Sequence, residues 1–591
     1  MEFIKRNRFW LYCLLTILTV SVFVLWPSFN LALTGDDYLG LWRYTQSMQS
    51  ANWNWLSYWL TDYGPQDTIT FLIHQHFGFQ SNVYYFFSFL FRFIAALSFL
   101  PLVYYLTKNK WAAFLSGLFF AVSTIGLETT DWSFNMPSYI AIASLNFFIL
   151  SYCNLQKKQS LTNFFVAIIL FLLTIVIQPI RLAFLPFLVI ALEFICIVLR
   201  QVQLKNALLR VGIFFVSFLL LIKGTGIGTM AGGISDKNGT GSIMATYVQE
   251  IGQLIAQKDI PKLLHPIGQL GSIVIPDTVI THKYDMASKL KVGTLILLPL
   301  LFFYCFFLFL SKYIFQEMKL KETVIACIIA LIWTEYAFYI LKIAMEYPYQ
   351  TSQLLTTIIG GYIFITAVLL LWSYRNDKKV FVPLATSFLI IVLSYSISWL
   401  RNPDLINMTV GRYLIVASCG LALLVGLLFS MANHKKTFLI CFLIPLFLIH
   451  TKASRNYLNN LASVRSSAQT EKIRSGLVRD TEADNNNVPS MYYFQSDNEE
   501  LLHHTIMFGF PMFMYYYKDV KNPWDIGYTT SYKEVYDAFL DGSSLTRFGI
   551  KNSDAVPLEH IHGYKIESGE LRDMTEELRK KLLEDTKKSK L

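Results

Sequence analysis

Long apolar runs recur along this chain, and short basic clusters close them. A run of about 20 apolar residues can cross a bilayer as a helix, which satisfies its own backbone hydrogen bonds. About thirteen such runs are read, near residues 9–33, 84–106, 111–126, 136–153, 162–178, 182–200, 207–223, 291–313, 321–343, 350–373, 380–400, 412–431 and 436–451. They predict an all-α polytopic membrane protein. Composition agrees: of 591 residues 54% are apolar and 15% charged, with a mean hydropathy of +0.43. An average soluble domain carries about 25% charged residues. A soluble enzyme, a disordered chain and a disulfide scaffold are excluded.

The net charge of +10 does not call for a nucleic-acid partner, because the basic residues sit where membrane orientation needs them. With Lys5, Arg6 and Arg8 in the cytoplasm, every second connection should be basic. Those connections carry Lys108 and Lys110; Lys157 and Lys158; Arg200, Lys205 and Arg210; Lys312, Lys319 and Lys321; Arg375, Lys378 and Lys379; Lys435 and Lys436. The alternation holds at all six, so residues 452–591 are expected outside the membrane. The first span reads as an uncleaved anchor, since its run is long and no small-x-small cleavage site follows. Phe-, Ile- and Lys-rich usage points to a bacterial plasma membrane. The seven cysteines (Cys13, Cys153, Cys196, Cys305, Cys327, Cys419 and Cys441) lie in or beside apolar runs with no CxxC spacing. They read as small buried hydrophobes.

Two domains are expected: residues 1–451, with long outer loops near 34–83 and 224–290, and an outer domain, 452–591. The second loop is Gly-rich without a phosphate-binding motif and reads as a flexible lid, with a short helix over Ile243–Gln257. In the outer domain a polar helical connector covers Arg455–Val478. Ser490–Gln495 and His560–Ile566 read as strands, Glu567–Glu570 as a turn and Thr575–Lys588 as a helix. This is a small α/β domain. No internal repeat is present.

The chemistry-bearing residues cluster on the outer side. Thr34-Gly35-Asp36-Asp37-Tyr38 follows the first span directly. Asp36 could cap a helix over Tyr38–Gln46, or the acid pair could be a working site. Glu128 and Asp131 lie in a short outer turn before Asn135-Met136-Pro137. Arg92, Arg181 and Arg412 stand near span ends, where they could bind substrate or simply snorkel. Glu335, Tyr339, Lys342 and Glu346 fall on one helical stripe, and intramembrane ionisable groups are functional candidates by default. The alternative is a Glu335–Lys342 pair holding helices together. Glu193 lies toward the cytoplasmic half and reads as structural. His74 and His76 form an H-x-H that would need a strand to ligate a metal together. Trp53, Trp55, Tyr58 and Trp59 fit an interfacial helix.

In this order, these motifs resemble the GT-C glycosyltransferases, protein mannosyltransferase-like and aminoarabinose transferase-like membrane enzymes. The acid pair after span 1 matches the family's signature in the first outer loop. Phe91–Leu97 is similar to its Arg-containing second span, and Leu127–Asp131 stands where its second acidic motif lies. Gln178-Pro179-Ile180-Arg181 and Gly411-Arg412-Tyr413-Leu414 resemble its later basic motifs. The likeness covers about 450 residues in organisation, without a clean DxD.

The resemblance implies a polytopic GT-C-like domain and a polyprenyl-phosphate sugar as donor. Transfer would be inverting, to an outer acceptor that is a glycan, lipid or protein. Asp36 would be the base, with Asp37 orienting it or holding a metal. Arg181, Arg412, Arg92, Glu128, Asp131, Glu335 and Lys342 would bind substrate. Mg2+ or Mn2+ is the cofactor to consider, with Asp37, Glu128 and Asp131 as its ligands. A transporter, a lipid-linked glycan flippase or a polymerase is the competing reading. A transporter is expected to show repeated halves and charged midplane sites, whereas here the candidates crowd the outer face.

Overall fold

A computed structural model describes residues 2–200, 202–225, 249, 252–258, 260–276, 301, 304, 324–325, 328–336, 350–401, 409–432, 436–480, 489–507, 509–518, 523–542, 555–567 and 569–589. Among these, seven helices are long and apolar enough to cross a membrane: Arg8–Asn30, Ser81–Thr107, Ser133–Lys157, Leu204–Gly224, Thr356–Ser373, Lys378–Ser396 and Arg412–Met431. Three shorter apolar helices, Lys110–Val122, Leu161–Ile177 and Leu185–Val198, accompany them. Most of the expected runs 291–313 and 321–343 lies outside the described residues, so seven spans are supported and the expected thirteen are not all tested. The architecture is that of a helical membrane protein with a small C-terminal α/β domain, called the outer domain after its expected side.

Packing explains the order of burial in the bundle. The helix Ile415–Met431 is almost entirely buried. Gly426 lets it approach Lys110–Val122, since a Cβ there would fall 2.9 Å from the Ala112 carbonyl oxygen. The Ser116 hydroxyl donates to the Ala422 carbonyl across that contact at 2.6 Å. Small residues of this kind are how membrane helices reach close packing. Glu193 and Arg210 form a two-pronged buried ion pair at 2.7 Å, which also receives the Tyr152 hydroxyl. The structural reading of Glu193 stands on that geometry.

The second long loop is not simply a flexible lid. Its residues Ile260–Val274 form a helix packed on the helix Gln350–Ser373. Gly271 and Gly360 make that contact: a Cβ on either would lie within 2 Å of a backbone carbonyl oxygen, Thr356 and Ile267 respectively. Most of the Ile243–Gln257 stretch lies outside the described residues.

The first span ends sooner than expected. The helix Glu2–Leu25 passes at Pro27 into a 3-10 turn, Trp26–Asn30, and an extended stretch follows. The last apolar run, by contrast, does not stop near His450. The helix Lys436–Val464 continues unbroken beyond it, and a second helix, Ser467–Asp480, begins after a break at Arg465. The expected single connector over Arg455–Val478 is therefore the end of one helix and most of another. Arg465 holds the break, donating to the Asp131 carbonyl at 2.5 Å, while its own carbonyl accepts from Ala32 N–H at 3.0 Å.

The outer domain contains four strands, β1 (Ser490–Ser496), β2 (Ile526–Thr529), β3 (Ile561–Glu567) and β4 (Glu570–Asp573), in the order β2-β1-β3-β4. β1 runs parallel to β2 and β3, and β3–β4 is an antiparallel hairpin. The helices Phe510–Lys518, Tyr532–Asp541 and Thr575–Ser589 complete it. Its core is continuous with the first outer loop: Phe494, Phe510 and Phe513 share one cluster with Leu33, Tyr38, Ile73 and Tyr84.

Candidate active site

The helix Gly35–Met48 carries the acid pair on its first turn, and the two carboxylates have different surroundings. Asp37 is 3% exposed. Its Oδ2 accepts from Thr34 N–H (2.7 Å) and the Thr34 hydroxyl (2.9 Å), and its Oδ1 accepts from the Ser133 hydroxyl (2.6 Å). Thr34 and Asp37 close a capping box, the arrangement that satisfies orphan donors at a helix start. Capping thus falls to Thr34 and Asp37, not to Asp36, and the helix begins three residues earlier than expected.

Asp36, on the same turn, is only partly buried. Among the described residues its carboxylate makes no hydrogen bond. Burial pushes its pKa up to about 6, opposed by Arg412 and Arg43 and reinforced by Asp37 and Asp67. A free carboxylate that titrates near neutrality between two guanidinium groups is a competent proton acceptor.

Arg43 and Asp67 were not singled out from sequence. Arg43 Nε and Nη2 grip Asp67 Oδ2 and Oδ1 at 3.0 and 2.7 Å, and the Tyr58 hydroxyl donates to Oδ2 at 2.6 Å. The Arg43 guanidinium also lies over the Tyr63 and Phe134 rings. Gly40 permits this approach, since a Cβ there would meet the Phe134 ring at 2.4 Å and Asp67 Oδ1 at 2.8 Å. The available signal was helical spacing: Asp36, Gly40 and Arg43 follow at intervals of four and three, on one face.

Two distant motifs meet beside them. Gly126 N–H donates to Thr409 O and Glu128 N–H to Val410 O, each at 2.9 Å, clamping the short outer turn to the segment before Arg412. Glu128 Oε2 accepts from Arg412 backbone N–H at 3.0 Å and lies 3.7 Å from its Nη1. The Arg412 guanidinium sits over the Trp132 ring at 3.9 Å and the Tyr413 ring at 5.3 Å.

Arg181 reaches the same place. It donates to the Ser138 hydroxyl and, at 2.8 Å, to Asn135 Oδ1, and it faces the Tyr413 ring at 5.8 Å. No carboxylate among the described residues bonds to it. Burial and then the neighbouring Arg412 pull its pKa down to about 10. Two guanidinium groups, one of them bonded only to neutral oxygens, form a place that favours an anion.

The remaining expected residues are placed elsewhere. Arg92 is 1% exposed, and its donors go to Thr130 Oγ1 (2.9 Å), Ser123 O (2.5 Å) and other protein groups. Asp131 is also 1% exposed; its Oδ2 accepts from the Tyr457 hydroxyl at 2.9 Å while Oδ1 has no partner among the described residues. Both act in packing around the 123–131 turn. Glu335 is exposed on its helix, whereas Tyr339, Lys342 and Glu346 lie outside the described residues. His74 and His76 sit on the helix Gly64–Phe77. Two residues apart on a helix, they face different directions. Trp55 and Leu56 are exposed on the short helix Trp55–Trp59, as an interfacial helix requires.

Asp37, expected to hold a metal, has both carboxylate oxygens engaged by hydroxyl and amide donors. Among the described residues no three His, Cys, Asp or Glu side chains are grouped so as to hold a metal ion. Among the described residues Asp37, Glu128 and Asp131 do not converge as a ligand set for Mg2+ or Mn2+.

The chain matches no protein-family model and no curated protein at a significant level.

Proposed function

We propose that this protein is a membrane glycosyltransferase that moves a sugar from a polyprenyl-phosphate donor to an acceptor outside the membrane. The observation that carries this reading is a carboxylate without a hydrogen bond near a guanidinium bonded only to neutral oxygens, both among the described residues. Among the described residues Asp36 has no hydrogen-bonded partner, and Arg181 beside Arg412 has no carboxylate bonded to it.

In the reaction, the acceptor hydroxyl loses its proton to the Asp36 carboxylate as its oxygen attacks the anomeric carbon. The new C–O bond forms on one face, and the bond from the anomeric carbon to the phosphate oxygen breaks on the other. Its electron pair leaves on the lipid phosphate, and the configuration inverts. Arg181 and Arg412 stabilise the charge that grows on that phosphate. A pKa near 6 leaves Asp36 ionised at neutral pH with appreciable basicity. The Arg43–Asp67–Tyr58 network fixes the face of the helix beside Asp36.

The test is transfer from polyprenyl-phosphate sugars by purified protein in lipid. Asp36→Asn should lower turnover by about 10²–10⁴-fold while donor binding and fold survive. Full turnover by Asp36→Asn would rule out this reading.

A further inference from the structure

The outer domain contains a cleft of about 1000 Å3 that the transfer site does not use. It opens where β1, β2 and β3 end: Gln495 and Asp497 stand at the close of β1, Thr530 follows β2, and Lys565 lies near the end of β3. The strand order explains the opening. From β1 the chain crosses to β2 on one side, then returns past β1 to β3 on the other. Parallel sheets bind ligands outside the carboxyl ends of their strands, at the point where the order reverses. The volume is at the upper end of pockets that enclose a small ligand, about 300–1000 Å3.

The lining sets the ligand class. Glu499 and Glu500 are exposed, and neither carboxylate makes a hydrogen bond among the described residues. The Thr530 hydroxyl is likewise exposed. The Lys565 ammonium is already held by Glu567 at 3.0 Å. By its described lining the cleft is therefore rich in acceptors and net negative. It repels phosphate, sulfate and carboxylate groups and is too polar for a lipid tail. It suits a ligand that presents many hydroxyl donors, above all one with amines among them.

The cleft is also tied to the transfer site. The segment that supplies Glu499 and Glu500 continues through His503–Met507 to Gly509, which lies against Gly35 at the start of the Asp36 helix.

We infer that this cleft binds the acceptor as a hydroxyl-rich glycan segment without negative charge, with amino sugars preferred. The inference rests on the transferase reading for the word acceptor, whereas the binding itself does not.

The experiment measures equilibrium binding to the full-length protein in lipid nanodiscs, without donor. The probes are a glucosamine tetramer, its fully N-acetylated counterpart, a sulfated tetrasaccharide and spermine. The glucosamine tetramer should bind most tightly, the acetylated one more weakly, and the sulfated one not detectably. Glu499→Gln with Glu500→Gln should weaken the glucosamine tetramer at least tenfold, and Lys565→Gln should tighten it. Asp36→Asn should leave it unchanged. Unchanged affinity in the double Gln variant would overturn the proposal, as would equal binding of the sulfated probe. Spermine binding as tight as the tetramer would mark a polyamine site and overturn it too. Normal binding in a protein that transfers no sugar would count against the transferase reading alone.

Discussion

Gly509 of the outer domain presses on Gly35, the first residue of the Asp36 helix: a Cβ on Gly509 would fall 2.3 Å from the Gly35 Cα. Gly509 also has a φ of +82°, in the left-handed region. Gly509 leaves no room for a side chain, so the outer domain seats the turn that carries the acid pair.

Gly509→Ala should therefore cost stability of about 1–3 kcal/mol from backbone strain, with further loss from the contact. Turnover should fall as well, because the first turn must move. Gly78 is a matched control, with a φ of +60° and nothing within 4 Å of its would-be Cβ. Gly78→Ala should show only the strain. Thermal unfolding and turnover of both variants separate the two effects, and equal loss of turnover would mean that the contact does not position the turn.

The two neighbouring acids should fail differently. Asp37→Asn leaves the Thr34 and Ser133 donors facing a group with one acceptor oxygen instead of two. It should lower stability by about 1–2 kcal/mol, as loss of a cap does. Asp36→Asn should keep or slightly raise the unfolding midpoint at neutral pH, since burial disfavours the charged form it removes, and should lose turnover. A stability loss confined to Asp36→Asn would reverse the roles given to the pair.

The rate should follow the Asp36 carboxyl. Burial raises it to about 6, and the base works when ionised. Transfer should therefore climb through pH 6 and level off above 7. A profile that climbs near pH 4 instead would place the proton acceptor on an unperturbed carboxylate.

Asp131 predicts a different pH effect. Burial pushes it up to about 7, against the pull of Arg465. In the unfolded chain it ionises near 4. Between those values the folded chain holds a proton that the unfolded chain has released, so stability falls as pH rises and becomes flat above 7. Asp131→Asn should reduce this slope in unfolding midpoints measured between pH 4.5 and 8, most of all between 6 and 7, above the range where Asp36 contributes. An unchanged slope would assign it to other groups.

The anion site is tested by geometry as much as charge. Arg181→Lys keeps a cation but loses the two-pronged fork. It should raise KM for the donor while leaving the unfolding midpoint close to wild type, and Arg181→Gln should raise it further. Wild-type KM in both variants would assign Arg181 to packing.

Local patterns in the sequence carried much of this architecture. Strands β1 and β3, their turn and the last helix were legible because each has its own apolar alternation or charged cap. β2 and β4 were not, because Ile526–Thr529 and Glu570–Asp573 are too short to show a period. The acid pair was legible as a site, but its division of labour was not. Which acid caps depends on where the chain leaves the first span, and Pro27 ends that helix earlier than the apolar run does. Glu128 and Arg412 were both singled out, yet their ion pair joins residues nearly half the chain apart, and no local pattern encodes that. Asp67 escaped notice because a lone acid becomes informative only when its arginine partner is seen.

The unbroken helix from Lys436 to Val464 has a mechanical consequence. Past the end of its apolar run at His450 it continues for about 20 Å, at 1.5 Å per residue. A domain mounted on a stiff rod of that length cannot swing as one on a tether does. It is held at one height above the apolar run and at one azimuth, and a single inserted residue would turn it by about 100°. Under the proposed transfer reaction, acceptors would have to come to that height to be served, and the rod would act as a ruler that selects among them by reach before any contact selects by chemistry.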